Sequence, residues 1–441
     1  MINSTFLNGS HDMIALKLER VLAEKGIHYA WFMAFISFVL LMFSSSAMST
    51  PAILMLPIIE AFGWSITDIS AIIGALFIIV AVAAPFGTAF MLRLGLTKIV
   101  VTSCALLIAG LGLTTFAFEK WHLFFSMGTV LGLASGILGL GFAATVATRW
   151  FVEKRGLVLG ILAASWAAGQ IMLVPFIAWI VSNFDWQYGV IPGVTGAGVC
   201  LLLFIFFGKN WPSDLGLMPY GAETNPNIAK TGQGENPVKK SFSVLFNCSK
   251  HPGFWVLSST FFICGFTSNG LVSQHFIPFC SDNNIGIIVA SSYLATIGLF
   301  NFMGSIGSGW LADKFDNYKL LATFYSVRGL SLVYLPFSSL DVFYLTIWAI
   351  FFGLDFIATI PPTGRFCSKF FGSIDGPIAF AWIFSIHQIG AASAAYGAGR
   401  TRDIFLTYEP IFFLAGLACF IATLLLLGFR LTPQSQLDFQ S

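Results

Sequence analysis

Gly309-Trp310-Leu311-Ala312-Asp313-Lys314-Phe315-Asp316-Asn317-Tyr318-Lys319 is a short polar break between two long apolar stretches. Thr88-Ala89-Phe90-Met91-Leu92-Arg93-Leu94-Gly95-Leu96-Thr97-Lys98 breaks the chain in the same way 221 residues earlier. A second echo follows at an offset of 216, where Thr148-Arg149-Trp150-Phe151 answers to Gly364-Arg365-Phe366-Cys367. Two copies of one helical unit are the simplest source of such pairs. A helix needs about 20 apolar residues to cross the hydrocarbon core. Working outward from these breaks gives twelve such stretches, at 30–56, 68–91, 97–117, 121–147, 157–181, 188–208, 254–279, 287–311, 319–338, 341–363, 376–399 and 405–429. The expected fold is an all-α membrane protein of twelve transmembrane helices in two pseudo-symmetric six-helix bundles. Its divisions are a tail over 1–28, a bundle over 29–208, a linker over 209–253, a second bundle over 254–430 and a tail over 431–441.

Composition agrees. The chain of 441 residues is 57% hydrophobic and 10% charged, with a mean hydropathy of +0.84, so too few polar side chains remain to cover a water-facing surface and lipid is the expected solvent. A net charge of +2 gives no field that would recruit nucleic acid. The seven cysteines (104, 200, 248, 264, 280, 367 and 419) form no CxxC pair, and neither a disulfide framework, a metal site nor a cofactor is expected. Of the 22 Lys and Arg residues, 18 fall on one side of the alternating loops, and only Lys120, Arg400 and Arg402 fall on the other. By the positive-inside rule both termini are expected in the cytoplasm.

At Gly309-Trp310-Leu311-Ala312-Asp313-Lys314-Phe315 the chain resembles the major facilitator superfamily, whose signature after the second helix of each half reads G-x-L-a-D-[RK]-f-G. Asp316 replaces the last Gly, and the first-half copy keeps only Arg93 and Gly95. The loop Trp150-Phe151-Val152-Glu153-Lys154-Arg155-Gly156-Leu157-Val158-Leu159-Gly160 is similar to that of monocarboxylate and oxalate/formate porters, as are Phe62-Gly63-Trp64-Ser65 and Asp214-Leu215-Gly216-Leu217-Met218-Pro219-Tyr220-Gly221. This resemblance implies a central cavity between the halves and alternating access by rocking, in a bacterial inner membrane. Ala167-Ala168-Gly169-Gln170 in the fifth helix departs from the G-P-x-x-G-G pattern of the family's drug/proton antiporters.

Ionisable groups inside a membrane are costly, so the few that remain are the first candidates for function. Arg328 lies nine residues beyond Lys319 and Asp355 ten before Arg365, which places both about 14 Å from one helix end at 1.5 Å per residue. Two readings stay open: an ion pair that fixes the ninth helix against the tenth, or groups that meet substrate or proton. His387, on the eleventh helix, falls in the same layer. A histidine titrates at about 6.5 and can change charge in the physiological range, so His387 is the first candidate for coupling to protons. The resemblance to oxalate/formate porters implies that this helix, through His387 and Gln388, presents a cation to a carboxylate; a plain hydrogen bond to a neighbouring helix is the other open reading. The amides Gln170, Asn269, Gln274 and Asn301, with Ser44, Ser45, Ser46 and Thr50, complete the candidate cavity. Each also reads as an ordinary helix-to-helix hydrogen bond. Glycines at 139, 141, 304, 307, 309, 390 and 399 read as close helix packing, since no strand precedes them as a nucleotide loop would require.

At the loops, Asp313 and Arg365 are expected to form a cytoplasmic gate, with Lys314, Arg93 and Arg149 nearby. The function expected is secondary-active transport of a small mono- or dicarboxylate-like anion coupled to protons, by a monomer whose partners are substrate, protons and lipid. Proton-driven export of a metabolite, siderophore or drug is the alternative within the fold, and a non-transporting membrane sensor is the alternative outside it. No nucleophile and base stand together as an enzyme would require.

Overall fold

Long apolar helices carry the chain back and forth in the computed structural model, which describes residues 4–222 and 236–430. Twelve of its helical spans are long and apolar enough to cross a bilayer: Tyr29–Phe62, Ile66–Gly87, Leu96–Thr114, Lys120–Trp150, Leu157–Asn183, Trp186–Phe207, Pro252–Asp282, Ile287–Ala312, Asn317–Phe337, Val342–Phe371, Ile378–Phe405 and Glu409–Arg430. Each overlaps one expected span. The first runs on past Pro51 and Pro57 and stops at Gly63, whose left-handed φ of 67° caps it and whose N–H donates to the Ile59 carbonyl. Proline inside a membrane helix is tolerated where neighbouring groups satisfy the freed carbonyls.

The two halves have separate hydrophobic cores that interleave at a seam. Ala391, Ala392 and Ala395 of the eleventh span join the first core. Ile53, Val174, Ile177 and Ala178 of the first and fifth spans join the second. The glycine reading holds where helices meet: a Cβ on Gly304 would strike the Leu354 carbonyl, one on Gly390 the Phe262 carbonyl, and one on Gly399 the Ser70 side chain. Gly307 and Gly309, by contrast, face open space.

Among the described residues, three spans are irregular in their interiors. The fourth contains a π-helical stretch, Phe124–Leu131, and breaks at Leu138 and Gly139 before Leu140–Trp150 resumes. The seventh contains another π-helical stretch, Phe266–Val272. The tenth stops at Asp355 and restarts at Ile360. Pro361 and Pro362 explain the break in the tenth, since neither supplies an N–H to the carbonyls before it. The sequence offset of 216 carries Gly139 onto Asp355, so the fourth and tenth spans break at equivalent positions.

The polar stretch after the sixth span is more structured than a plain linker. Pro212–Leu215 forms a 3-10 turn and Pro237–Cys248 a helix. Tyr220 pairs with the loop after the fourth span, its N–H donating to the Trp150 carbonyl (2.9 Å) and its carbonyl accepting from Val152 (2.9 Å). The linker helix touches both halves: Phe242 packs on Phe86 (5.6 Å) and Trp382 (5.7 Å), and Trp382 Nε1 donates to the Ser241 carbonyl (3.1 Å). Helical backbone also continues from Ile360 to Phe405, so the tenth and eleventh spans are joined by helix where a loop was expected.

Candidate functional site

A cavity of about 2100 Å³ lies between the halves. Its lining reaches the Lys- and Arg-rich face at Lys240 of the linker helix and at Arg365 and Lys369, and extends inward to Ser44, Ser45, Met48, Asn301, His387 and Gln388. The other end is shut. There Gly399 packs on Ser70, Gly74 approaches the Ala392 carbonyl, and the Thr67 N–H donates to Asp403 Oδ2 (2.9 Å).

The eleventh span presents Phe380, Ala381, Phe384, His387 and Gln388 to this cavity. Their spacing of one, four, seven and eight residues from Phe380 places them on one helical face. His387 stacks on Phe384 (5.4 Å between centroids, 14° between planes) and tilts against Phe261 (4.7 Å). The helix is held there by two glycines, since Gly265 of the seventh span abuts the His387 carbonyl and Gly390 abuts the seventh span in return. His387, Gln388 and Asn301 are 5%, 2% and 2% exposed. Yet His387 Nδ1, Gln388 Oε1 and Asn301 Oδ1 have no hydrogen-bond partner. Polar atoms buried in this way are costly unless something arrives to pair with them.

Arg328 and Asp355 meet, as one of the two sequence readings anticipates. Arg328 Nε donates to Asp355 Oδ2 at 2.5 Å. Its Nη2 donates to the carbonyls of Asp355 (2.6 Å) and Phe356 (3.2 Å), and its Nη1 to Cys264 Sγ (3.1 Å) and Thr267 Oγ1 (3.4 Å). The guanidinium thus caps the broken end of the tenth span, adding to the turn bond that the Asp355 carbonyl accepts from the Ala358 N–H (3.2 Å) and pairing the Phe356 carbonyl. Neither residue lines the cavity; they sit behind its wall, with Cys264 between.

The remaining expectations divide. Asn269 lines the cavity, but Gln170 does not, being packed against Gly298 on the eighth span, and Gln274, Ser46 and Thr50 are also away from it. Arg149 is buried and braces the N-terminal half: its Nη1 donates to the Asn210 carbonyl (3.4 Å), its Nη2 to the Met91 carbonyl (3.5 Å), and it lies 4.2 Å over Trp211. Arg365 makes the equivalent contact in the other half, donating to the Ala312 carbonyl at 2.7 Å. Lys314 lies over Trp310 (4.2 Å), and Arg93 is exposed at the end of its helix. The Asp313 side chain, and with it the Asp313 to Arg365 pairing, is outside the described residues. Cys264, Trp166 and the linker residues Lys240 and Ser241 also line the cavity and were not expected. Cys264 was one thiol among seven; the Phe380, Phe384, His387 spacing was the signal that could have been read. Among the described residues no group of three or more His, Cys, Asp or Glu side chains could hold a metal ion.

The family model described as Major Facilitator Superfamily matches residues 33–395. Monocarboxylate transporter 13 of Rattus norvegicus is 24% identical over 340 residues, covering 76% of this chain and 73% of its own. The oxalate:formate antiporter of Oxalobacter formigenes is 26% identical over 217 residues, 48% of this chain and 46% of its own. Solved structures that share the fold include two inward-facing transporters. The xylose transporter XylE from E. coli, in a partially occluded inward open conformation, has a TM-score of 0.67 at 13% identity, covering 91% of this chain and 98% of its own. A bacterial homolog to human lysosomal transporter Spinster, inward-facing and unoccupied, has a TM-score of 0.64 at 14% identity, covering 92% and 99%.

Proposed function

Since the chain belongs to the Major Facilitator Superfamily, we propose that it is a secondary-active transporter carrying a small organic anion together with a proton by alternating access. The observation that supports this reading best is His387, a titratable ring with an unpartnered nitrogen in the wall of the cavity. Two relatives are named for monocarboxylate and for oxalate and formate, which favours a carboxylate as cargo.

The chemistry follows from charge balance. A carboxylate entering an apolar cavity needs a cation, because an unpaired ion pays a large desolvation cost. Arg328 is committed to Asp355, so its charge is already matched. Protonated His387 supplies the balancing charge, and Gln388 beside it offers an amide. The imidazolium and carboxylate together are neutral, and a neutral load lets the halves close around the cavity and reopen on the other side. The groups facing the imidazole are the Phe261 and Phe384 rings and the Cys264 thiol, with the Arg328 and Asp355 pair one layer behind. The excess of Lys and Arg on the open face orients that face to the cytoplasm.

In proteoliposomes, an inward acid gradient is expected to accelerate uptake of a labelled carboxylate by the native protein. His387→Ala should remove that acceleration. Equal stimulation of both proteins would contradict the assignment.

A further inference from the structure

We infer that the cavity selects a monocarboxylate bearing an aromatic ring, in preference to acids of one to three carbons and to dicarboxylates. The inference rests on the anion-transport reading above and narrows it.

Charge sets the first limit. Among the described residues lining the cavity, the charged side chains Lys240, Asp316, Arg365 and Lys369 belong to the linker helix, the turn before the ninth span or the helix joining the tenth and eleventh spans, all at the open end. Deeper in, His387 is the one group among the described lining residues that can become a cation. One imidazolium balances one carboxylate. A second carboxylate at that depth would stand unpaired in apolar surroundings, which disfavours dianions.

The walls set the second limit. Phe380 and Phe384 share the helical face of His387, and Trp166, Phe302 and Phe356 also line the cavity. Aromatic rings prefer offset or edge-on partners and gain from them beyond simple burial. The cavity, about 2100 Å³, runs from His387 out to the open end and leaves room for a ligand that carries a ring. An acid of two carbons would pair with His387 and leave these rings facing water. A ligand with a ring covers them.

The unpartnered oxygens refine the ligand further. Gln388 Oε1 and Asn301 Oδ1 both line the cavity without a donor, and a ring hydroxyl supplies one. A phenolic acid therefore satisfies the carboxylate site, the aromatic wall and an amide acceptor together.

The test uses the full-length protein, with thermal-shift titrations in detergent and counterflow in proteoliposomes. The probes are 3-(4-hydroxyphenyl)propanoate, its neutral amide, acetate and oxalate. The phenolic acid should bind at least about tenfold more tightly than the other three, and it alone should drive counterflow. Phe384→Leu, which keeps apolar bulk and removes the ring, should weaken the phenolic acid roughly two- to tenfold. Phe380→Leu makes the same measurement one turn away should the first variant fail to fold. Acetate or oxalate binding as tightly as the phenolic acid would overturn the aromatic selection and leave anion transport standing. The amide binding as tightly as the acid, or no carboxylate moving at all, would overturn both.

Discussion

Arg328 is wholly buried, and its three nitrogens reach one carboxylate oxygen, two backbone carbonyls, a thiol and a hydroxyl. That pattern marks a residue that holds structure. A planar guanidinium reaches several acceptors at once, which a lysine ammonium on a flexible stem does not reproduce. Removing one member of a buried ion pair strands the other, at a cost of about 3–5 kcal/mol, whereas removing both costs less. Arg328→Ala is therefore expected to be less stable in thermal unfolding than Arg328→Ala with Asp355→Ala. Arg328→Lys should not recover the native transition temperature. A double variant less stable than Arg328→Ala would mean that Asp355 contributes without its partner. His387 is the counterpart case, since its neighbours hold the ring in place while Nδ1 is left without a partner.

Helices explain why much of this was legible and some was not. Span number, span positions and the meeting of Arg328 with Asp355 follow from lengths of apolar sequence and from matching depths, quantities that a one-dimensional pattern preserves. The break after Asp355 is written in Pro361 and Pro362, but its consequence, an arginine turned to cap carbonyls, depends on a neighbouring helix. Gln170 shows the same limit: polarity and depth made it a cavity candidate, and helix rotation packed it against Gly298 instead. The Asn236-capped linker helix was missed because a short polar segment gains its order from Phe86 and Trp382, far away in sequence. Small residues set how close spans come. Gly304 abuts the backbone at Leu354, and Gly353 lies 2.7 Å, by an added Cβ, from the Ile297 carbonyl. Gly304→Leu should force the eighth and tenth spans apart and lower stability by about 1–3 kcal/mol in detergent unfolding. An unchanged unfolding midpoint would show that the two helices are free to separate.

Across the whole molecule, the two ends of the bundle are in opposite states. One end opens into the cavity, and at the other Asp403 of the eleventh span accepts from the Thr67 N–H at the start of the second. A carboxylate at a helix N-terminus is favoured by the unpaired N–H groups and the helix dipole there. This bond joins the halves and must break whenever that end opens. Asp403→Ala is expected to raise thiol-reagent labelling of a cysteine introduced near the closed end and to lower labelling near the open one. Unchanged labelling at both ends would show that the bond does not hold the closure. Proton uptake on ligand binding bears most directly on the role of the cavity. Purified protein in weak buffer should take up protons as the carboxylate binds, and His387→Ala should take up none. Equal proton uptake by the native protein and His387→Ala would contradict it.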